Sequence, residues 1–214
     1  MSVKKRGLFI SFEGGDGAGK SSQINRLADY FRARGETVRL TREPGGSENA
    51  ETIRALLVEG AADRWSPMTE ALMMYAARAD HLEEVIRPAL SRGEVVISDR
   101  FADSTMAYQG IAGALGESAV KNLHDLVVGA DDPDITIILD VPVDVGLTRA
   151  GGRGARESRF ESKGAAYHDR VRQAFLKIAR DNPKRCVIID AAKDENAVFQ
   201  SVAEAIEKKL QSRQ

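Results

Sequence analysis

Residues 14–21 form the glycine-rich segment Gly14-Gly15-Asp16-Gly17-Ala18-Gly19-Lys20-Ser21, which constrains the fold more than any other part of the chain. Its spacing matches G-x-x-x-x-G-K-[S/T], a loop whose backbone N–H groups cradle nucleotide phosphates. The apolar run 8–12 before it predicts a buried strand, and apolar residues at helical spacing follow it. Strand, loop and helix in this order predict an anion site at the helix N-terminus. An ordinary glycine-rich turn is the alternative, and these flanking segments argue against it.

The residues of this loop are predicted to hold a nucleoside triphosphate. Lys20 is expected to reach the β- and γ-phosphates, and the Ser21 hydroxyl is expected to ligate Mg2+. The full set of predicted triphosphate-binding residues is Gly14, Gly15, Asp16, Gly17, Ala18, Gly19, Lys20, Ser21 and Ser22.

Composition narrows the class of protein. The chain has 214 residues, of which 43% are hydrophobic and 29% charged, as expected for one α/β domain with a complete core. Its net charge of −1 predicts no general attraction to nucleic acid or to an anionic membrane. No segment approaches the roughly 18 apolar residues that a membrane span needs. The lone Cys186 predicts a small buried core residue in a reducing compartment, so we expect a cytoplasmic protein.

Five apolar runs predict strands, at 8–12, 37–41, 94–98, 135–141 and 186–190. They are nearly continuous in Val, Ile and Leu, which is typical of a parallel sheet covered on both faces. After the first helix, further helices are predicted at about 66–90 (N-cap Ser66, bend at Pro88), 116–130, 142–150, 161–181 and 195–211 (N-cap Asp194). The predicted fold is α/β: a doubly wound, five-stranded parallel sheet of the P-loop NTPase type. Ligands of such sheets bind beyond the carboxyl ends of the strands.

Charged residues follow two of these strands. Arg42 comes after the second strand, where its planar fork suits a phosphate; a solvated charge is the alternative. Asp99 and Arg100 come after the third. A carboxylate at this place in a P-loop protein is the expected partner of Mg2+, directly or through water, and Arg100 is expected to meet the transferring phosphate. The alternative is that Asp99 and Arg100 pair with each other.

Two helical segments offer groups for recognising a substrate. Residues 104–110 place hydroxyl, phenol and amide groups close together, which suits a base or a sugar. Met74 and Arg78 are four residues apart and share a helix face. Their neighbours Leu72, Met73, Tyr75 and Ala76 are predicted to be core, and core is also the alternative for Met74.

An arginine- and glycine-rich stretch lies at about 149–160. Arg149, Arg153, Arg156 and Arg159 alternate there with glycines. A disordered loop with nonspecific attraction for anions is one explanation. A mobile lid that closes arginines over the triphosphate is the other, and we favour it because phosphoryl transfer depends on neutralising spreading negative charge. The three histidines have no metal-ligand spacing, and a serine-hydrolase motif is absent from the sequence.

Six segments carry a resemblance to a known family: Phe12-Glu13-Gly14-Gly15-Asp16-Gly17-Ala18-Gly19-Lys20-Ser21, Thr41-Arg42-Glu43-Pro44-Gly45-Gly46, Arg78-Ala79-Asp80-His81, Ile86-Arg87-Pro88-Ala89-Leu90, Asp99-Arg100-Phe101 and Ala107-Tyr108-Gln109-Gly110. In this order the chain resembles the thymidylate kinase (dTMP kinase) family over essentially its whole length. The resemblance implies a single nucleoside monophosphate kinase domain over 1–214, which uses ATP and Mg2+ to convert dTMP to dTDP in dTTP biosynthesis. It also implies a homodimer formed through helices, to which the apolar region Leu72–Ala77 is expected to contribute.

The resemblance implies roles for single residues. Asp16 is expected to contact the 3′-hydroxyl of the deoxyribose, and Arg42 and Arg100 the 5′-phosphate. Arg78 is expected to bond the thymine carbonyl. Thr105, Tyr108 and Gln109 are expected to line the pocket, and Pro44 to be a cis-proline that aims Arg42. Lys20, Asp99 and Arg100 are expected to act in catalysis.

Gly17 indicates a type within the family, and the chain departs from the family pattern at two other positions. Gly17 stands where some members carry an arginine, so the chain resembles the bacterial type, in which the lid supplies the catalytic arginine: Arg153, Arg156 or Arg159. Met74 replaces a phenylalanine that stacks on thymine, although a thioether also packs on aromatic rings. Ser158 stands in the lid where aspartate is more usual.

Two other functions are consistent with parts of the sequence. A kinase for another nucleotide or a deoxynucleoside, such as dUMP or deoxycytidine, shares the phosphate loop and the arginines. A non-catalytic P-loop module that only binds nucleotide is less consistent with Asp99 and Arg100. A GTPase switch requires an Asn-Lys-x-Asp type of motif, which residues 190–194 do not supply.

Overall fold

The computed structural model describes residues 6–61, 63–151 and 164–212. Its strands are β1 Phe9–Glu13, β2 Val38–Arg42, β3 Val95–Asp99, β4 Ile135–Asp140 and β5 Cys186–Asp190. They form a parallel sheet in the order β2-β3-β1-β4-β5. The predicted α/β doubly wound fold is confirmed, and each predicted strand boundary lies within one residue of the observed one. In this order β1 is central, with β3 and β4 at its sides, so the loop after β1 faces the ends of both.

The helices alternate with the strands. They are α1 Lys20–Arg32, α2 Glu48–Val58, α3 Pro67–His81, α4 Arg87–Ser91, α5 Ala102–Thr105, α6 Glu117–Val127, α7 Val143–Gly151, α8 Ala165–Asp181 and α9 Glu195–Gln211. Both predicted N-caps are confirmed. The Ser66 hydroxyl accepts from the Thr69 N–H, and the Asp194 carboxylate accepts from the Asn196 and Ala197 N–H groups. Among the described residues, every helix falls short of the length and apolar character that crossing a membrane requires.

The predicted helix over 66–90 is three consecutive segments. A π-helical turn, Leu82–Ile86, joins α3 to α4. The Arg87 N–H donates to the Leu82 carbonyl, five residues back. Pro88 is the reason for a wider turn, because its ring clashes with the carbonyl four residues earlier in a regular α-helix. The expected bend at Pro88 is therefore a local change of hydrogen-bond register.

Two helical elements were not predicted. α2 was missed because only two of its residues, Ala50 and Leu57, are buried, so its apolar pattern is weak. Residues 104–110 were interpreted as a group of polar side chains. The segment 102–111 that contains them forms α5 and a second π-helical turn, Met106–Ile111. Both elements border the functional site.

The core lies on both faces of the sheet. Ile10 and Phe12 of β1 point to one face, where they pack with α1 and α9. Phe9 points to the other face and packs with α3, α4 and α6. α8 covers the same face of the sheet. Its Phe175 belongs to a separate apolar cluster, which also contains the buried Cys186. Leu72 and Ala76 are exposed, so the prediction that they belong to the core is wrong; Tyr75 is buried as expected.

Candidate active site

A cleft of about 470 Å³ opens where β1, β2 and β3 end. Most of the predicted site residues line it: Asp16, Gly17, Ala18, Gly19, Lys20, Ser21, Arg42, Met74, Arg78, Asp99, Arg100, Thr105, Tyr108 and Gln109. Gly14 and Gly15 instead border a smaller cavity of about 30 Å³ behind the loop. Ser22 is exposed on α1 and does not line the cleft. The lid residues Arg153, Arg156 and Arg159 lie outside the described part of the chain.

Lys20 is the first residue of α1, and its ammonium group lies inside the phosphate loop. Nζ donates to the Gly15 carbonyl at 3.0 Å and to the Gly14 carbonyl at 3.2 Å. Burial, together with the nearby Arg100 charge, lowers the pKa of Lys20 to about 8. Gly19 caps the helix with a φ of 88°, a left-handed conformation that favours glycine. The loop therefore presents a helix N-terminus and one buried cation to the cleft.

Gly17 touches the backbone of α7. A Cβ at residue 17 would lie 1.9 Å from the Gly146 carbonyl oxygen, and the φ of Gly17 is +72°. Both facts exclude a larger side chain at this position without a backbone shift. An arginine side chain at this position, which the resemblance implies for another type of the family, has no room in this chain.

Arg100 connects the phosphate loop to the rest of the cleft. Nη1 donates to the Gly14 carbonyl at 3.0 Å and to the Ser104 hydroxyl at 3.1 Å. Nη2 donates to Asp16 Oδ1 at 2.8 Å and to the Tyr108 hydroxyl at 3.3 Å. The ion pair is thus with Asp16, and the alternative in which Arg100 pairs with Asp99 is wrong. Arg100 has a φ of 69°, which is rare for a side chain of this size.

The charges of this group stabilise one another. Burial on its own would raise the pKa of Asp16, but Arg100 and Lys20 outweigh it and hold that pKa below its ordinary value. Burial opposes the charge of Arg100, yet Tyr108 and Asp16 hold its pKa above the ordinary value. Arg100 therefore remains a cation at any working pH.

Glu13, the last residue of β1, supports this arrangement from beneath. Its carboxylate is fully buried and accepts from the Phe101 N–H at 2.7 Å and the Ser104 hydroxyl at 2.5 Å. Burial and the nearby Asp103 raise the pKa of Glu13 to about 8. These contacts agree with a supporting role for Glu13, because it binds the turn that carries Arg100.

Asp99 ends β3 and lines the same cleft as Ser21. Its Oδ1 is buried and has no hydrogen-bond partner among the described residues. A buried carboxylate oxygen without a partner is unfavourable unless a ligand completes it. Within the described residues, no three His, Cys, Asp or Glu side chains gather as a metal cluster. Mg2+ needs no such cluster, because it commonly uses one or two protein oxygens together with substrate phosphates and water.

Arg78 forms the inner wall of the cleft. Nε donates to Glu43 Oε2 at 2.7 Å and Nη2 donates to Thr105 Oγ1 at 3.0 Å. The side chain is 2% exposed, and its Nη1 has no partner within the described chain. The guanidinium lies 4.5 Å from the centroid of the Tyr75 ring. Arg78 is thus held rigidly, and its Nη1 group remains without a partner among the described residues.

The remaining polar groups are held by neighbours that sequence reasoning missed. Gln109 donates to Glu70 at 2.7 Å inside the core.

Arg42 is half exposed and pairs with Glu51 of α2 at 3.0 Å, so it is neither purely solvated nor fixed on the cleft. Arg54 also lines the cleft and donates to the Pro44 carbonyl at 2.7 Å. The Glu43–Pro44 bond is cis, as predicted. The signal in the sequence for Glu51 and Arg54 was the weak helical pattern over residues 48–58.

This combination of fold and site defines a class of protein. The parallel sheet has its phosphate loop after the central strand, and two cations, the buried Lys20 and the partly buried Arg100, meet at that loop. These are the parts of a P-loop phosphotransferase, in which positioning and charge neutralisation do most of the catalytic work.

Comparison with known proteins identifies the family within that class. The thymidylate kinase family model matches residues 12–202. The thymidylate kinase of Caulobacter vibrioides is 57% identical over 205 residues, which is 96% of this chain and 98% of that protein. That of Dinoroseobacter shibae is 51% identical and covers 92% of this chain and 94% of its own. The crystal structure of thymidylate kinase from Ehrlichia chaffeensis aligns with a TM-score of 0.76 at 36% identity, covering 94% of this chain and 99% of that one. The chain belongs to the thymidylate kinase family.

Proposed function

We propose that this protein transfers the γ-phosphoryl group of ATP to dTMP, giving ADP and dTDP. The observation that carries the proposal is the single cleft in which the phosphate loop, Arg100 and Arg78 all take part. It combines a site for a triphosphate with a second set of cations and donors in the same cleft. Membership of the thymidylate kinase family supports dTMP as the acceptor.

On the acceptor side, the nucleophile is a phosphate oxygen of dTMP. This oxygen is already anionic near neutral pH, so no side chain has to remove a proton from it. Arg100 holds the acceptor phosphate, with Arg42 at the mouth of the cleft. Arg78 Nη1 is the donor available to a base carbonyl. Met74, half-buried in the lining, packs on the base through its thioether.

On the donor side, Lys20 and the N-terminus of α1 hold the β- and γ-phosphates of ATP. The Ser21 hydroxyl and the unpartnered Asp99 oxygen fit a Mg2+ ion bound with the triphosphate, Asp99 through water. When bound, that ion supplies positive charge that stabilises the transferring phosphoryl group. The chain's own contribution is to align donor and acceptor phosphates in line and to surround them with fixed cations.

The lid completes this set of cations in the proposal. Because Gly17 contacts the backbone of Gly146, the phosphate loop has no arginine of its own to place on the transferring group. We assign that role to Arg153, Arg156 or Arg159. Arg149, at the edge of the lid, donates to the Ala191 carbonyl at 2.9 Å.

A coupled ADP-release assay tests the proposed function. Purified protein with ATP and Mg2+ is offered dTMP, dUMP, dGMP, AMP or thymidine in parallel. We expect dTMP to give the highest kcat/KM. A preference for dUMP, or turnover of thymidine rather than its monophosphate, would replace the acceptor in this proposal. Nucleotide binding without transfer to any acceptor would reduce the protein to a binding module.

We also propose that the protein is a cytoplasmic homodimer. Leu72 and Met68 of α3 are 49% and 44% exposed, and Leu56 of α2 is 44% exposed. Large apolar side chains grouped on packed helices favour burial in an interface. Within Leu72–Ala77, Leu72 is the one larger apolar residue that is exposed, so Met68 and Leu56 provide the rest of the proposed surface. Sedimentation velocity of the wild type and of Leu72→Glu tests the proposed dimer. A wild type that sediments as a monomer would contradict it.

A further inference from the structure

A buried chain of hydrogen bonds ends at Arg78, and it includes residues to which phosphoryl transfer gives no role. Thr41 Oγ1 lies 2.6 Å from His81 Nε2, and His81 Nδ1 lies 2.9 Å from Glu43 Oε1. Glu43 Oε2 then accepts from Arg78 Nε. His81 is completely buried and the Glu43 side chain is 4% exposed. Such a network costs desolvation energy, so the arrangement of its donors and acceptors has to be satisfied closely.

The donor directions along this chain follow from its chemistry. Arg78 can only donate, and an ionised Glu43 can only accept, at both oxygens. His81 therefore donates its Nδ1 hydrogen to Glu43. In the neutral ring Nε2 is then the acceptor, and it takes the hydroxyl hydrogen of Thr41. The imidazole thus links the end of β2 to the carboxylate that holds Arg78.

The loop after β2 is closed around this imidazole. A Cβ at Gly46 would lie 2.5 Å from both His81 Nε2 and Thr41 Oγ1, so the backbone approaches the ring as nearly as glycine allows. The Glu43 N–H donates to the Asp99 carbonyl at 2.9 Å, which fixes Glu43 beside the end of β3. Glu43 and His81 therefore have little freedom to exchange partners.

The occupied oxygen of Glu43 determines how Arg78 distributes its donors. A guanidinium and a carboxylate favour a bidentate pair, with two parallel N–H···O bonds. Here His81 occupies Oε1, so Glu43 holds Arg78 through Oε2 and Nε. Nη2 is left for Thr105, and Nη1 is left without a partner in the described chain.

We propose that His81 is a positioning residue for substrate selectivity. By holding Oε1 of Glu43 toward its own ring, it turns the carboxylate away from a bidentate pair with Arg78, which would draw Nη2 away from Thr105 and rotate Nη1 out of line. Arg78 then presents Nη1 to a ring carbonyl of the bound base, as thymine offers and cytosine, with an amino group at that position, does not. This inference rests on the proposed function for the identity of the base.

Three substitutions of His81 separate its two hydrogen bonds. The side-chain nitrogen of asparagine lies as many bonds from Cα as His Nδ1, so His81→Asn can keep the donor to Glu43. The terminal amide of glutamine corresponds to Nε2, so His81→Gln keeps only the contact with Thr41. His81→Leu removes both at similar volume. The matched control is His124→Gln. His124 belongs to α6, away from the cleft, and its Nε2 lies 3.5 Å from Asp132 Oδ1.

Steady-state kinetics with dTMP and dCMP give the decisive readout. We expect His81→Gln and His81→Leu to raise the KM for dTMP about tenfold, with kcat within about twofold, because one directed hydrogen bond is lost from binding. The ratio of kcat/KM for dTMP to that for dCMP is expected to fall about tenfold. His81→Asn and His124→Gln are expected to keep both values within about threefold.

The selectivity ratio distinguishes positioning from stability. A variant that is only less stable loses active enzyme for both substrates, which leaves the ratio unchanged. An unchanged ratio in His81→Gln and His81→Leu therefore overturns the proposal, and so does a His81→Asn variant as impaired as His81→Leu. If His81→Leu does not fold, the His81→Asn and His81→Gln pair decides the question. If the wild type does not phosphorylate dTMP, the proposed function fails. Calorimetric binding of dTMP and dCMP to the same variants then tests His81 on its own.

Discussion

The contact between Gly17 and Gly146 gives a prediction that the structure makes quantitative. In Gly17→Ala the new Cβ would lie 1.9 Å from a carbonyl oxygen, so the loop or α7 has to move. Such overpacking costs roughly 1–3 kcal/mol. The left-handed φ of +72° adds about 1–2 kcal/mol for any residue with a Cβ. We therefore expect the free energy of unfolding to fall by about 2–5 kcal/mol.

The same loop contains two matched controls. Gly19 has a φ of +88° with nothing within 4 Å of its added Cβ, so Gly19→Ala carries the backbone cost alone. Gly15 also has open space, and its φ lies outside the left-handed range, so Gly15→Ala is expected to change stability by less than about 0.5 kcal/mol. The difference between Gly17→Ala and Gly19→Ala isolates the collision with α7.

Urea unfolding of the nucleotide-free protein, followed by circular dichroism, measures all three variants. Stability is the proper readout because every loop substitution also affects nucleotide binding. The reasoning is refuted if Gly17→Ala is no less stable than Gly19→Ala. That result would mean that α7 does not rest on the phosphate loop in solution.

Three further substitutions or conditions test the cleft itself. Arg100→Ala is expected to lower kcat at least about a hundredfold and the free energy of unfolding by only about 1–2 kcal/mol. Steady-state kinetics and urea unfolding measure these two quantities, and an unchanged kcat would remove Arg100 from the site. The pKa of Lys20 is about 8, and only its charged form attracts the triphosphate. ATP affinity measured by calorimetry should therefore weaken about tenfold from pH 7 to pH 9. The control Lys20→Arg should show no such trend. A wild-type ATP affinity that does not change with pH contradicts the argument. Asp99→Asn is expected to raise the Mg2+ concentration for half-maximal rate about 10–100-fold, and an unaltered Mg2+ titration counts against Asp99 as a metal partner.

The sheet could be predicted from the sequence because its signals are local. Each strand is a short apolar run, and Ser66 and Asp194 mark helix starts through hydrogen bonds to residues two or three positions away. Most of the predicted site residues line one cleft, because the carboxyl ends of parallel strands share an edge. α2 was missed because a helix on the rim of a cleft buries little and so lacks a clear apolar stripe.

The pairing of charges could not be predicted. Asp16 and Arg100 are 84 residues apart, and sequence alone equally allowed Arg100 to pair with Asp99. The link from His81 through Glu43 to Arg78 depends on how the turn after β2 packs against α3, which no spacing encodes. The close approach of Gly146 in α7, which leaves no room for a side chain at Gly17, also depends on tertiary packing that the sequence does not encode locally.

The carbonyl of Gly14 accepts hydrogen bonds from two cations, Lys20 and Arg100. In the proposed function Lys20 holds the triphosphate and Arg100 holds the acceptor phosphate. A phosphate that draws one cation away leaves the carbonyl to the other. On that assignment the binding free energies of the two substrates are coupled, and the coupling is equal in both directions. The affinity for either nucleotide then depends on whether the other nucleotide is bound.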